Sequence, residues 1–216
     1  MSGAGAPPEG MVGKFTLISG PMCAGKTTEL RRLAENHARC DLRVLLIRHV
    51  SDRRGEETSD SDGKGDGRSA PTLFTHRGDW GINPALSPLF RTESVAMLSG
   101  VVPTDRETLI AIDEGQFFPD LAACARKWAD EGRTVVASAL NGKADRTPWP
   151  SVSAAYAEID DHIFVSAVCG VCRRPDRQAV FTLRREGAPK PDAGGVAIGG
   201  AESYVPACRS CAAAEP

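Results

Sequence analysis

Gly20-Pro21-Met22-Cys23-Ala24-Gly25-Lys26-Thr27 decides the fold of this chain, because it matches the phosphate-binding pattern G-x-x-x-x-G-K-[ST] at every required position. Gly20 and Gly25 let the backbone turn tightly with its N–H groups pointing inward, where they can cradle phosphate oxygens. Lys26 brings a point charge to the β- and γ-phosphates, and Thr27 offers a hydroxyl to Mg2+. Ahead of the loop, Lys14-Phe15-Thr16-Leu17-Ile18-Ser19 is apolar and β-branched enough to predict a short buried strand. Behind it, Thr28-Glu29-Leu30-Arg31-Arg32-Leu33-Ala34-Glu35 predicts a helix with Leu30, Leu33 and Ala34 on one face. Phosphates would then sit at a helix N-terminus, where the dipole and the unpaired N–H groups favour an anion. Residues 20–28 are therefore the expected nucleotide contacts. Cys23 within them is a point of sensitivity to oxidation.

Outward from the loop the same alternation repeats. Leu42-Arg43-Val44-Leu45-Leu46-Ile47-Arg48 predicts a second buried strand, and Thr108-Leu109-Ile110-Ala111-Ile112 a third apolar run. Leu121, Cys124, Ala125 and Trp128 recur at helical spacing over residues 121–131, with Gly132 as the stop. Residues 134–140 and 163–168 predict two further strands. Strands alternating with helices imply an α/β fold: a P-loop NTPase-like parallel sheet covered by helices on both faces. Residues 51–70, rich in Asp, Gly, Ser and Arg, predict a long polar loop of the kind that serves as a lid or stays disordered.

Composition narrows the function classes. A chain of 216 residues with 41% hydrophobic and 25% charged residues suits one soluble domain plus a small appendage. The net charge of −2 offers no basic field for nucleic acid. No apolar run approaches the ~20 residues that cross a bilayer. Residues 1–10 lack the basic and apolar regions of a secretory signal and read as a disordered Gly/Pro/Ala-rich lead-in. The expected compartment is the cytoplasm.

A nucleotide site needs a metal-binding carboxylate at the end of a neighbouring strand. Asp113, directly after Ile110-Ala111-Ile112, can hold Mg2+ opposite Thr27. Glu114, one position on, is expected to point to the other side of the strand, where it can accept a proton from an attacking group. Cys169-Gly170-Val171-Cys172 and Cys208-Arg209-Ser210-Cys211 form two C-x-x-C units separated by 35 residues. Two such knuckles complete a tetrahedral Zn2+ site. A redox pair, the rival reading, would need only one unit in a thioredoxin setting. Nothing supplies an open coordination position, so the zinc would be architectural.

Together these segments resemble thymidine kinases of the tetrameric, zinc-containing type. The resemblance rests on the phosphate loop with Thr28-Glu29-Leu30 and on Ile112-Asp113-Glu114-Gly115-Gln116-Phe117-Phe118-Pro119-Asp120. It continues through Ala139-Leu140-Asn141-Gly142, the cysteine pairs, and Ile198-Gly199-Gly200-Ala201-Glu202-Ser203-Tyr204, in the family's order. It implies ATP-dependent phosphoryl transfer to the 5′-hydroxyl of thymidine, and of deoxyuridine, giving dTMP and ADP for nucleotide salvage and DNA synthesis. It assigns phosphate and Mg2+ roles to Lys26, Thr27 and Asp113, and the general-base role to Glu114. It also implies a homotetramer, feedback by dTTP, and a lasso over residues 173–207, anchored on structural Zn2+, whose tip at residues 196–204 meets the base. Met22, Phe117, Phe118, Leu140, Thr182 and Tyr204 map onto pocket positions, with Phe118 and Tyr204 expected to stack or touch the sugar. Val196 and Ile198 belong to the tip, Gly199 and Gly200 allow close backbone approach, and Asp66 matches an acidic residue that orients the reacting group.

The chain departs from the family at three places. Asn141-Gly142-Lys143-Ala144 stands where the family has Asp-Gly followed shortly by an aromatic, so Ala144 supplies no ring and Trp149 is expected to refill the space. The 51–70 loop is longer and more charged, and residues 175–178 read as an insertion in the lasso. The expected organisation is a disordered N-terminus over 1–12, a nucleotide-binding α/β domain over 13–166 and a zinc-binding lasso domain over 167–213. Two other classes fit part of this pattern. One is a mechanical or regulatory P-loop ATPase in which Glu114 activates water; the other is a zinc-ribbon module for nucleic acid, against which the acidic balance and intact phosphate loop count.

Overall fold

The apolar runs become adjacent parallel strands. The computed structural model describes residues 13–51, 74–75, 78–79, 81–188 and 199–214. Expectations on residues 1–12, on the polar loop beyond Ser51, and on Asp66, Val196 and Ile198 lie outside the described residues. In chain order the elements begin β1 (Lys14–Gly20), α1 (Lys26–Ala38), β2 (Arg43–His49), β3 (Phe74–Thr75), β4 (Gly78–Asp79) and β5 (Phe90–Val95). They continue β6 (Glu107–Ile112), α2 (Leu121–Asp130), β7 (Thr134–Leu140), α3 (Pro150–Ala155) and β8 (Asp161–Phe164). The chain closes with β9 (Ala167–Val168), β10 (Gln178–Ala179), β11 (Phe181–Arg184), β12 (Tyr204–Ala207) and α4 (Arg209–Ala214).

Six strands form one all-parallel sheet in the order β5-β2-β6-β7-β1-β8. Strand pleating sends alternate residues to opposite faces, and here both faces are buried. Phe15, Leu17, Leu45, Ile47, Ile110 and Ile112 pack against Leu121, Ala125 and Trp128 of α2 and Val152 of α3. On the other face, Ile18, Val44, Leu46, Leu109 and Val136 pack against Leu30, Ala34 and Ala38 of α1. Each fully buried aliphatic or aromatic side chain contributes about 1.5–3 kcal/mol relative to exposure, so the two stripes fix which way each helix faces. Gly132 stops α2 as expected, at φ 87° with its amide on the Ala129 carbonyl at 2.8 Å.

Several elements differ from the sequence reading, which named none of β3, β4, β10, β11, β12 and α4. The apolar run 163–168 is not one strand: β8 ends at Phe164, and the chain leaves the sheet before pairing again as β9 with β10. β5 and the short helix α3 were not expected. β5 is an edge strand with charged residues, held beside β2 and tied to β6 by Arg91 on Glu107. Glu107 is only 4% exposed and also accepts the Thr104 amide at 2.8 Å.

Beyond β8 lies a small lobe of two antiparallel pairs, β9–β10 and β11–β12, with α4. Its interior is Cys169, Ala179, Leu183, Val205, Ala207, Cys208 and Ala212. Residues 180–182 tie it to the main sheet. The Thr182 hydroxyl accepts the Met22 amide at 3.0 Å, and the Val180 carbonyl accepts Asn141 Nδ2 at 2.9 Å. The Arg146 guanidinium lies 5.5 Å from the Phe181 ring centre.

Candidate active site

The glycine-rich loop leaves β1 at Gly20 and enters α1 at Lys26. A Cβ on Gly20 would lie 2.1 Å from the Val165 carbonyl oxygen, so the first glycine is required by close packing against the chain beyond β8. Gly25 sits at φ 90° as the N-cap of α1, with no side-chain cap. The first amides of the helix therefore have no side-chain cap, as an anion site requires. Lys26 is 9% exposed and donates to the Pro21 carbonyl at 2.8 Å, which folds its side chain back over the loop. Pro21 and Met22 are buried, Ala24 and Thr27 half-buried, and Cys23 (φ 60°), Gly25 and Thr28 exposed.

In the sheet β7 lies between β1 and β6, so Thr27 reaches Asp113 across one intervening strand. Thr27 Oγ1 donates to Asp113 at 3.2 Å. Ser138, on that middle strand, donates to the same carboxylate, as does the Glu114 amide at 3.1 Å. Asp113 is 1% exposed. A carboxylate this deep needs donors or a cation, and Thr27, Ser138 and the Glu114 amide are among its donors. Thr27 with Asp113 is the pair that would hold Mg2+.

Glu114 differs from expectation in how it gets its direction. β6 ends at Ile112, so strand alternation no longer governs the residue. It takes a left-handed conformation, φ 54° and ψ 44°, at the head of a 3-10 turn over Gly115–Phe117. That turn, not the pleat, directs its side chain. Gln116 Nε2 donates to Glu114 Oε2. Sequence reading gave no role to Gln116 or to Ser138. The signal for Ser138 was one hydroxyl within an otherwise apolar strand; Gln116 offered none beyond its place in the Phe-Phe run.

The expected thymidine contacts spread over several elements. Phe118 has no exposed surface and meets the His49 ring edge-on at 5.0 Å. Phe117 is half-buried, 5.5 Å from His49 and edge-on to Trp149 at 5.8 Å. Trp149 thus stands in the aromatic cluster, with Lys143 Nζ 5.2 Å from its ring and no hydrogen-bond partner for its buried Nε1 among the described residues. Ala144 and Leu140 are half-buried. Thr182 is 4% exposed and faces the phosphate loop through Met22. Tyr204 is half-buried at the start of β12, its amide on the Gly200 carbonyl at 3.1 Å. Gly199 and Gly200 form a tight turn closed by Glu202, where an added Cβ would lie 2.5 Å from Ser203 Oγ or 2.6 Å from Glu202 Oε2.

Cys169, Cys172, Cys208 and Cys211 bring their sulfurs within 4.8 Å of one another. Four thiolates at Zn–S bonds of about 2.3 Å would stand roughly 3.8 Å apart, so the cluster fits a closed tetrahedral zinc. Burial pushes the Cys169 thiol up, but the amides of Cys172, Cys208 and Val171 outweigh it and bring it down to about 6. Cys211 is pushed up to about 12, first by its hydrogen bond with Cys208, then by burial and by the other two thiols. A Cβ on Gly170 would lie 2.5 Å from Val205, so the first knuckle closes only around glycine.

Among the described residues no helix is long and apolar enough to cross a membrane. A family model described as thymidine kinase matches residues 13–212. Thymidine kinase 1 of Dictyostelium discoideum is 31% identical over 201 residues, which cover 93% of this chain and 78% of that protein. The cytosolic thymidine kinase of Gallus gallus is 32% identical over 200 residues, 92% of this chain and 76% of its own length. The thymidine kinase of fowlpox virus (strain NVSL) is 31% identical over 205 residues, covering 92% and 96%.

Proposed function

The chain belongs to the thymidine kinase family, an enzyme family, and on that premise we propose that it transfers the γ-phosphoryl group of Mg-ATP to the 5′-hydroxyl of thymidine and of deoxyuridine. The observation that carries the reading is the convergence of Thr27, Asp113 and Glu114 at the strand ends beside the capless N-terminus of α1. The helix end and the Thr27–Asp113 pair would address the phosphates, and the neighbouring Glu114 carboxylate the acceptor hydroxyl.

The residues divide the work. The backbone N–H groups of the loop beyond Met22 and of the first turn of α1, with the Lys26 ammonium, bind and orient the triphosphate, and Thr27 and Asp113 would hold Mg2+, which would supply neutralisation of the phosphate charge. Glu114 accepts the proton of the 5′-hydroxyl as the new O–P bond forms and the bond to the β-phosphate oxygen breaks, releasing ADP and dTMP. Phe117, Leu140, Trp149, Thr182, Gly199, Gly200 and Tyr204 form the nucleoside side, together with Asp66, Val196 and Ile198, while Phe118, expected to touch the nucleoside, has no exposed surface and packs against His49 in the core. The zinc is architectural. Residues 13–166 act as the nucleotide domain and 167–213 as the zinc-anchored lasso. A cytoplasmic homotetramer serving nucleotide salvage, inhibited by dTTP, completes the proposal.

The test is ADP release from Mg-ATP in the presence of a panel of nucleosides. Release that depends on thymidine is expected; release indifferent to added nucleoside would sink the kinase reading in favour of an ATPase. Glu114→Ala should keep ATP binding and lose turnover by about 100-fold or more.

A further inference from the structure

Ser138 is a hydroxyl only 1% exposed, on a strand otherwise buried through Val135, Val136, Ala137 and Ala139. Strand alternation sets which way it faces. Val136, two residues earlier on β7, packs on the α1 side of the sheet, as do Leu109 and Ala111 on β6. Ser138 and Asp113 continue those two rows toward α1, whose first turn carries Thr27. β6 and β7 pair in parallel with Ile112 beside Ala137, so the next position along sets Asp113 beside Ser138. Ser138 Oγ accordingly donates to Asp113 Oδ1.

The two oxygens of Asp113 are held differently. Oδ1 accepts Ser138 and, at 3.1 Å, the Glu114 amide. Thr27 Oγ1 lies 3.2 Å from Oδ1 and 3.3 Å from Oδ2. A carboxylate has about four lone-pair sites over its two oxygens, and Ser138 and the Glu114 amide take those of Oδ1. Of these donors, Ser138 is the one built into a central strand, with β6 and β1 on either side.

We propose that Ser138 is a positioning residue for the metal pair. With the Glu114 amide it occupies Oδ1, so that Asp113 would meet a divalent cation through Oδ2 alone, and it thereby favours Mg2+ over Ca2+. Mg2+ demands a small octahedral shell and takes few carboxylate oxygens, whereas Ca2+ accepts about six to eight ligands and is well served by a bidentate carboxylate. Loss of the Ser138 hydroxyl would release a lone pair on Oδ1 and let the carboxylate turn to give both oxygens. The inference rests on the reading of Thr27 and Asp113 as the pair that holds the metal.

The test is calorimetric titration of Mg2+ and of Ca2+ into the full chain carrying one ADP, which reads binding and not turnover. Ser138→Ala should weaken Mg2+ binding about 10-fold, leave Ca2+ binding within about twofold or tighten it, and so lower the preference for Mg2+ by about 10-fold. Ser138→Cys keeps a weaker donor and should fall between wild type and Ser138→Ala. A wild-type preference in Ser138→Ala, whether or not its melting temperature falls, marks the hydroxyl as structural only and overturns the proposal. So does an equal loss of both ions. Thr27→Ala, measured in parallel, separates the two readings. Mg2+ binding unchanged there removes the metal pair and this inference with it. Mg2+ binding weakened there, with a wild-type preference in Ser138→Ala, overturns the role of Ser138 alone.

Discussion

Glu114 holds a backbone conformation that an L side chain adopts at a cost of about 1–2 kcal/mol, and it does so next to the buried Asp113 carboxylate. Strain at such a position is retained because the turn aims the side chain. Glu114→Gly should therefore raise stability to urea by about 1 kcal/mol while abolishing thymidine-dependent ADP release. Trp149 is the second residue with a consequence. Its ring meets Phe117 where the sequence leaves Ala144 without an aromatic. Trp149→Ala should raise the KM for thymidine about tenfold, with the KM for ATP nearly unchanged, corresponding to about 1.4 kcal/mol of lost ring contact. An unchanged thymidine KM would remove Trp149 from the nucleoside site. Lys26, Thr27, Asp113 and Glu114 were all legible in the sequence, because their chemistry is written in fixed spacing. Ser138 and Gln116 were not, because neither belongs to a recognisable motif and only the contacts with Asp113 and with Leu140 single them out.

At the scale of elements, apolar runs announced the inner strands and the failures came at the margins. Residues 163–168 read as one strand because all six are compatible with extended structure. Only the geometry of the sheet edge shows that the chain turns off after Phe164. β5 escaped notice since Arg91 and Glu93 interrupt its pattern, and what seats it is an ion pair with Glu107 on β6's first residue. Burial alone would raise the Glu107 carboxyl, but Arg91 and the Thr104 amide bring it below its ordinary value of 4.5. A carboxylate lowered on folding contributes stability above its unfolded value and loses it as pH falls through the folded one. Thermal melting should show wild type losing stability below about pH 4.5 more steeply than Arg91→Leu, which lacks the partner that lowers Glu107. Gly20 links the element scale to the site. Gly20→Ala should cost roughly 1–3 kcal/mol in denaturant unfolding even with no nucleotide present, because its Cβ would run into the Val165 carbonyl.

Across the whole molecule, the four-cysteine lobe is tied to the glycine-rich loop and to the end of β7. Val180, Phe181 and Thr182 leave the lobe to grip Asn141, Arg146 and Met22. Removing the metal should therefore be felt at the phosphate loop. Chelation, or Cys211→Ser, is expected to lower bound zinc from one per chain, lower the melting temperature, and weaken ATP binding measured calorimetrically. Thr182→Val tests the link without touching a thiol. It leaves the buried Met22 amide without its acceptor and should cost about 1–3 kcal/mol of stability with zinc content unchanged.

What the sequence alone determined was local: the phosphate loop and its helix, the buried runs of a parallel sheet, the carboxylate pair, and two cysteine knuckles, each encoded by residues a few positions apart. Tertiary structure alone decided how these parts address one another. It set β7 between β1 and β6, so that Ser138 bridges to Asp113. It turned Glu114 by a left-handed residue instead of a pleat, and set Gln116 and Thr182 as ties between elements. Spacing along the chain fixes covalent neighbours and periodicity. Which strands lie side by side is chosen only when the apolar faces are buried together, and the site is built across those strands.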